Sequence, residues 1–250
     1  MDIEELENKL PPHIYQKLIN SKLDSTKSIL LKNKSEIKEI TKLASKDVEF
    51  LLELALRVQL PRIYGGLEKG AVYICTEDPF PSKRLKQLTK SIASISPELN
   101  FEDNIFVEHV IDFEQLRFCL YVKLQKLICN VDIGIIIIDS ITGVFRSFNE
   151  DRNYQSRSED FQTIARKLYE YSGEHKIAII CTNQVSDNLE TGEVNPCLGL
   201  AWSNWVTSRF CISRSFNRLT RTFKVIFAPH LPCCSCNFLI RENGADRLID

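Results

Sequence analysis

The chain has 250 residues, 44% apolar and 26% charged, with 32 Lys and Arg against 33 Asp and Glu for a net charge of −1. This fits one α/β domain with a small appendage, or two small domains, and excludes disorder of the chain as a whole. The longest apolar run, Ile133–Ile138, is far short of the roughly 20 residues of a membrane span, and the acidic start Met1-Asp2-Ile3-Glu4-Glu5 is not a signal peptide's basic n-region, so no membrane partner is expected.

Residues 1–52 contain no Gly, Arg or Trp. Ile14, Leu18, Ile29, Leu30, Ile37, Ile40 and Leu43 recur at helical spacing, which predicts three or four short helices. Pro11-Pro12 can open one, and Asp24-Ser25-Thr26 and Asn33-Lys34-Ser35 read as capping turns. A longer helix is expected over Asp47–Leu60, with Leu51, Leu52, Ala55, Leu56 and Gln59 on one face and Pro61 as its end.

From Ile63 strands and helices alternate. Ala71–Thr76, Ile105–Val110, Ile133–Asp139 and Lys176–Thr182 read as strands, and Pro81–Ile92, Phe113–Cys129 and Arg157–Gly173 as helices. That order predicts a mostly parallel sheet, and the apolar run at Ile133 predicts cover on both faces. After Leu198 come consecutive strands, Trp205–Ser213, Thr220–Ala228 and Asn237–Arg241, the first two joined by a polar turn at Arg214–Arg218. They are expected as antiparallel strands at the edge of the sheet.

No acid occurs from Val194 to Arg241, while Arg209, Arg214, Arg218, Arg221, Lys224 and Arg241 supply six cations. This is either a local hint of a polyanion partner or a chance skew. Of nine cysteines, Cys75 and Cys181 fall in strand-like apolar runs and are expected in the core. Cys233-Cys234-Ser235-Cys236, with His230 nearby, lacks the second pair that a zinc site wants.

Three strand ends carry chemistry. Ile135-Ile136-Ile137-Ile138-Asp139-Ser140 delivers a carboxylate to the edge where open α/β sheets bind ligands; in nucleotide hydrolases such an Asp serves magnesium, and elsewhere it is a helix cap. Tyr73-Ile74-Cys75-Thr76-Glu77-Asp78 brings acids to the same edge, where Glu77 could polarise a water or simply cap the next helix. Ile179-Ile180-Cys181-Thr182-Asn183-Gln184-Val185 ends in two amides, suited to a γ-phosphate or to a turn. The GxxxxGK[ST] loop that cradles phosphates is absent. Its nearest match, Gly65 to Val72, has Ala-Val where Lys-Ser/Thr must stand, and it precedes a strand.

The stretch Gly65–Asp78 with Phe80-Pro81-Ser82-Lys83-Arg84-Leu85 resembles the RecA-type recombinase core of eukaryotic strand-exchange proteins and their repair paralogues. Ile138-Asp139-Ser140 with Phe145-Arg146 is similar to the family's Walker B strand and its exit into the first DNA loop. Cys181–Val185 is similar to the strand before the second DNA loop, and Leu198–Asn204 and Ala228–Pro232 to the C-terminal core. The resemblance implies an α/β fold: a RecA-type, mostly parallel sheet flanked by helices over residues 53–250, after a small helical N-terminal domain related to helix-hairpin-helix modules over residues 1–52.

The departure is at the join. Leu51-Leu52 runs straight into Glu53–Pro61, which resembles the second half of the helix after Walker A. A block with the linker, the first core strand and the phosphate loop is missing. Ile135–Ile138 and Ile179–Ile180 therefore lack their usual neighbour unless they pair with each other. Ser186–Leu200, with breakers at Thr191-Gly192 and Asn195-Pro196, is expected as a mobile loop.

By resemblance, Glu77 would be the catalytic residue that positions the attacking water. Asp139 would serve magnesium through water, Ser140, Asn183 and Gln184 would face ATP with Gln184 sensing its γ-phosphate, and Pro229 and His230 would lie near the ATP of a neighbouring subunit. Arg146, Arg152 and Arg157 would meet DNA. The implied function is double-strand-break repair by homologous recombination. It would act in the nucleus, and also the cytoplasm, with single-stranded or junction DNA and another recombinase paralogue as partners. ATP and magnesium are the family's cofactors. Lacking the phosphate loop, the chain is expected to be a binding or non-functional variant rather than an ATPase. The alternatives are a DNA-dependent ATPase with an unconventional nucleotide site, and a non-enzymatic protein- or DNA-binding α/β module.

Overall fold

The computed structural model describes residues 48–146, 154–187, 194–214 and 220–247. The chain forms two compact units, Met1–Lys46 and Asp47–Asp250, and the described residues all lie in the second. The helices expected within residues 1–46, and most of the turn at 214–218, lie outside the described residues.

In chain order the elements are α1 (Val48–Arg57), a 3-10 turn (Arg62–Tyr64), β1 (Gly70–Cys75), α2 (Ser82–Ile92), β2 (Ile105–His109), α3 (Phe113–Phe118), a π-turn (Cys119–Lys123), α4 (Leu124–Ile128), β3 (Ile133–Asp139), α5 (Ile141–Arg146), α6 (Tyr154–Glu174) and β4 (Ala178–Cys181). Then follow β5 (Val185–Asp187), β6 (Val194–Pro196), α7 (Gly199–Ser203), β7 (Arg209–Arg214), β8 (Thr220–Phe227), β9 (Ser235–Arg241) and β10 (Gly244–Arg247). The single helix expected over Phe113–Cys129 is continuous but widened in its middle. There the Tyr171 hydroxyl donates to the Leu120 carbonyl, which suits a turn that loosens the helical ladder.

Strands β1 to β4 form one parallel sheet in the order β2-β1-β3-β4. Alternation divides its side chains. Val72, Ile74, Ile136 and Ile138 pack with Phe113, Leu116, Phe161, Ile164 and Leu168 on one face. Ala71, Tyr73, Cys75, Ile135 and Ile137 pack with Leu52, Leu56, Leu85 and Leu88 of α1 and α2 on the other. Helices thus cover both faces, which is why β1 and β3 read as unbroken apolar runs. The order reverses between β1 and β3, so the crevice beyond their C-terminal ends is the switch point of the sheet.

The gap expected beside β3 is closed. β3 pairs directly with β4, from Ile135↔Ala178 to Ile138↔Cys181. The C-terminal strands differ from expectation. They are antiparallel, but they form a separate sheet, β10-β9-β8-β7, rather than extending the edge of the parallel one. The contacts on α1 and α2 explain this. The Phe50 ring lies 6.0 Å from Phe223 and 6.5 Å from Phe238, Glu53 accepts the Ala245 N–H at 2.9 Å, and Arg84 donates to the Arg241 carbonyl at 2.6 Å. The expected mobile loop after Ser186 is also built differently: β5 and β6 pair as an antiparallel hairpin and α7 follows, while residues 188–193 lie outside the described ones.

Candidate functional site

The three predicted strand ends do meet. Cys75 stands opposite Asp139 in the β1–β3 register, and the Thr182 N–H donates to the Ile138 carbonyl, so residues 76–77, 139–140 and 182–184 share one edge. Asp139 accepts two hydroxyls there: Tyr73 at 2.8 Å on Oδ2 and Thr182 at 2.7 Å on Oδ1. Ser140 is buried. Its N–H donates to Thr76 Oγ1 at 2.9 Å, and that hydroxyl donates to the Ser140 carbonyl at 2.7 Å.

Glu77 is exposed at the lip of this edge. It accepts the Gln184 side-chain amide, and the Ser140 hydroxyl at 3.4 Å. Thr142 on α5 accepts the Gln184 N–H at 3.0 Å and donates to Asn183 Oδ1 at 2.7 Å. The Asn183 amide in turn donates to the Cys197 carbonyl at 2.8 Å, just after β6. One network therefore runs from the sheet through α5 to the β5–β6 hairpin. Gly143 lets α5 come this close, since a Cβ there would stand 2.3 Å from Thr76 Oγ1.

Glu77, Asp139, Ser140, Asn183 and Gln184 share this edge, and Tyr73, Thr76, Thr142 and Thr182, to which the sequence pattern assigns no role, hold them there. The available signal was a hydroxyl residue just past the end of β1 and of β4, next to a polar residue. Tyr73 left no signal, because it reads as one more core aromatic.

The remaining predicted residues lie elsewhere. Pro229 and His230 are exposed in the β8–β9 connection, in the sheet that shares no pairing with the parallel one. Arg146 ends α5, and its side chain lies outside the described ones, as does Arg152 altogether. Arg157 is half-buried on α6, with its guanidinium 5.7 Å from the Phe161 ring centre. Among the described residues no cluster of His, Cys, Asp and Glu is arranged to hold a metal.

Electrostatically the edge is acidic. Burial, and then the Asp139 carboxylate, hold the Tyr73 phenol protonated far above its ordinary value. Burial, with Asp139 and Asp78 behind it, pushes the Cys75 thiol up to about 12. Residues 76–78, 139–140 and 182–184 carry three carboxylates and no Lys or Arg. Nucleotide-magnesium fits this set on one side only. Hydroxyls and carboxylates are present for a hydrated cation, but nothing here supplies the cations or amide cradle that a triphosphate needs. The residues present do not fit the whole group.

A family model described as Rad51 matches residues 43–247. The chain is similar to "DNA repair protein XRCC3" of Mus musculus, 33% identical over 225 residues, covering 78% of this chain and 64% of that protein. It is 32% identical over 240 residues to "DNA repair protein XRCC3" of Bos taurus, covering 86% and 70%. It is 31% identical over 246 residues to "DNA repair protein XRCC3 homolog" of Arabidopsis thaliana, covering 78% and 81%. A match 225 positions long uses only 78% of this 250-residue chain, so the mouse relative has residues inside the matched stretch that this chain lacks.

Proposed function

The chain belongs to the Rad51 family, and on that premise we propose that it acts in repair of DNA double-strand breaks by homologous recombination, as a recombinase paralogue. It works in the nucleus, in complex with another paralogue, on single-stranded or junction DNA. The observation that carries this is the match over residues 43–247 together with a parallel sheet whose strand ends gather Glu77, Asp139, Ser140, Asn183 and Gln184. The RecA-type core takes in all of α1, whose Leu51 and Leu52 pack on the parallel sheet, so the N-terminal domain expected over residues 1–52 ends before Val48. Arg146, Arg152 and Arg157 supply the cations for the DNA backbone, since Glu190 and Glu193 in the later loop bring the wrong sign.

The role is binding rather than hydrolysis. ATP dependence is the family's property, but the acidic strand ends of this chain offer no grip on phosphates. Glu77 and Gln184, which by resemblance would orient a water and sense a γ-phosphate, hydrogen-bond to each other instead. Expression in mammalian cells lacking the XRCC3 relative tests the reading. It expects this chain to restore homology-directed repair of a reporter break and to co-purify with another paralogue. Co-purification without repair would reduce the role to assembly alone, and neither outcome appearing would remove the proposal.

A further inference from the structure

The loops feeding the N-terminal ends of β1, β2 and β3 lie at the opposite edge of the parallel sheet from the acidic strand ends just described. In the first of them Ile63, Tyr64 and Leu67 are 82%, 51% and 45% exposed, three large apolar side chains within five residues. The loop carrying them is held by its own backbone. The Tyr64 and Gly66 N–H groups donate to the Pro61 carbonyl, Leu67 to Val58 and Glu68 to Leu60. Gly65 takes the left-handed turn at φ 80°, and Gly66 lies so close to Leu60 that a Cβ would stand 1.9 Å from its carbonyl oxygen.

Beside this knob is a cavity of about 330 Å³ whose lining includes the apolar Pro61, Leu99 and Val131, the amide of Gln59, and the charged Glu68, Lys69 and Asp132. Gln59 is 4% exposed. Its amide nitrogen donates to the Ala55 and Phe101 carbonyls, which fixes the side chain, while its Oε1 has no partner.

Charge narrows what could bind. Residues 62–69, 93–104 and 129–132 carry the acids Glu68, Glu98, Glu102, Asp103 and Asp132 against only Arg62 and Lys69. The one ion pair among them, Arg62 with Glu68, is loose at 4.0 Å and exposed on both sides. An acidic field repels a nucleic acid and favours a cationic partner. An exposed apolar knob next to a preformed cavity is the anatomy of a protein interface rather than of a small-ion site.

We propose that this edge docks a basic segment of a partner protein. A bulky apolar side chain of that segment enters the cavity beside Pro61, Leu99 and Val131, and flanking Lys or Arg residues meet Glu68, Glu102, Asp103 and Asp132. The surface is separate from the strand ends assigned to repair above, so either reading can fail without the other.

The test uses the full chain and a short fluorescein-labelled peptide of Lys alternating with Leu and Phe, with a twin carrying Glu for Lys. Anisotropy should show saturable binding of the basic peptide and none of the acidic one. The exposed double variants Glu68→Lys/Asp132→Lys and Tyr64→Ser/Leu67→Ser, with melting curves checked against wild type, should each weaken binding by about tenfold or more. No saturable binding, equal binding of both peptides, or binding indifferent to both variants would overturn the proposal. So would a wild-type dimer in light scattering that Glu68→Lys/Asp132→Lys dissolves, since that assigns the surface to a second copy of this chain.

Discussion

Tyr73, in the middle of β1, donates its hydroxyl to Oδ2 of Asp139, at the end of β3, at 2.8 Å. Both side chains leave the same face of the sheet, and the Tyr73 ring is also held edge-on by Phe80 at 5.1 Å. A phenol so placed keeps its proton and donates it to the carboxylate. Tyr73→Phe keeps the ring and removes the donor, leaving a partly buried carboxylate with one hydroxyl partner fewer. Hydrogen bonds to charged groups contribute about 1.5–3 kcal/mol. Urea unfolding of Tyr73→Phe should show a loss of that order with an unchanged m-value. A loss near zero would mean that water replaces the phenol at no cost.

The acidic strand ends predict weak nucleotide binding. Three carboxylates repel a triphosphate, and magnesium can offset that only where cations or backbone amides also hold the phosphates. A fluorescent ATP analogue with magnesium should show no saturation at micromolar concentrations. Saturable micromolar binding abolished by Asp139→Ala would refute this, and would place a nucleotide against Asp139 after all.

Much of this arrangement is legible in the sequence. The apolar runs at Ala71 and Ile133 give buried parallel strands because covered sheets permit no polar alternation. A residue that ends such a strand must emerge at the C-terminal edge, so the strand pattern alone gathers Glu77, Asp139 and Asn183-Gln184. Partner choice is not legible. Whether β3 pairs with β4, or the C-terminal strands with β4 rather than with each other, depends on contacts such as Phe50 with Phe223 and Phe238, far apart in sequence. Short polar elements such as the β5–β6 hairpin and β10 carry no periodicity long enough to read.

Thiol chemistry should follow burial. Burial pushes the Cys75 and Cys181 thiols up to about 12 and the Cys119 thiol up to about 11, from an ordinary value of 9.0. At neutral pH the buried Cys75 and Cys119 should resist iodoacetamide in the native state and the half-buried Cys181 should react slowly, while the exposed Cys129, Cys233, Cys234 and Cys236 react first. The same shifts set an alkaline limit. Above pH 9 the unfolded chain loses these protons while the folded chain keeps them. Their contribution is therefore fully present below pH 9 and falls as pH rises toward 12. Stability should be flat with respect to these groups near pH 7–8 and decline above pH 9. Rapid native labelling of Cys75 at pH 7, read by mass spectrometry, would contradict this.

Two glycines should answer oppositely to alanine. Gly66 has no room: its Cβ would overlap the Leu60 backbone. Gly66→Ala must shift that loop and should destabilise the fold by more than the usual surface range of about 0.5 kcal/mol. Gly173, near the end of α6, has nothing within 4 Å of a Cβ and no positive φ. Gly173→Ala should be neutral or stabilising, by up to about 1 kcal/mol. The pair of melting curves checks both signs at once.

The closing of the sheet moves its weak point to β4. β3 is satisfied on both sides, by β1 and β4, but β4 has β3 alone as a strand partner among the described residues. Thr182 donates its N–H to the Ile138 carbonyl of β3 and accepts the N–H of Ile141 just beyond that strand, and by alternation Ala178 and Ile180 also face β3. The backbone groups of Ile179 and Cys181 then point outward with no neighbouring strand. Ile179, Ile180 and Cys181 are each only half-buried, so the open edge is also apolar. Such an edge invites pairing with another chain, and a lysine on it is a common natural defence. Ala178, the exposed first residue of β4, is where a lysine can be added without entering the core. The purified chain should therefore self-associate with rising concentration, and Ala178→Lys should shift it toward monomer in analytical ultracentrifugation without lowering its melting temperature. A wild-type chain that stays monomeric at high concentration and melts cooperatively above roughly 55 °C would show that the edge is protected, and that β4 needs no partner strand.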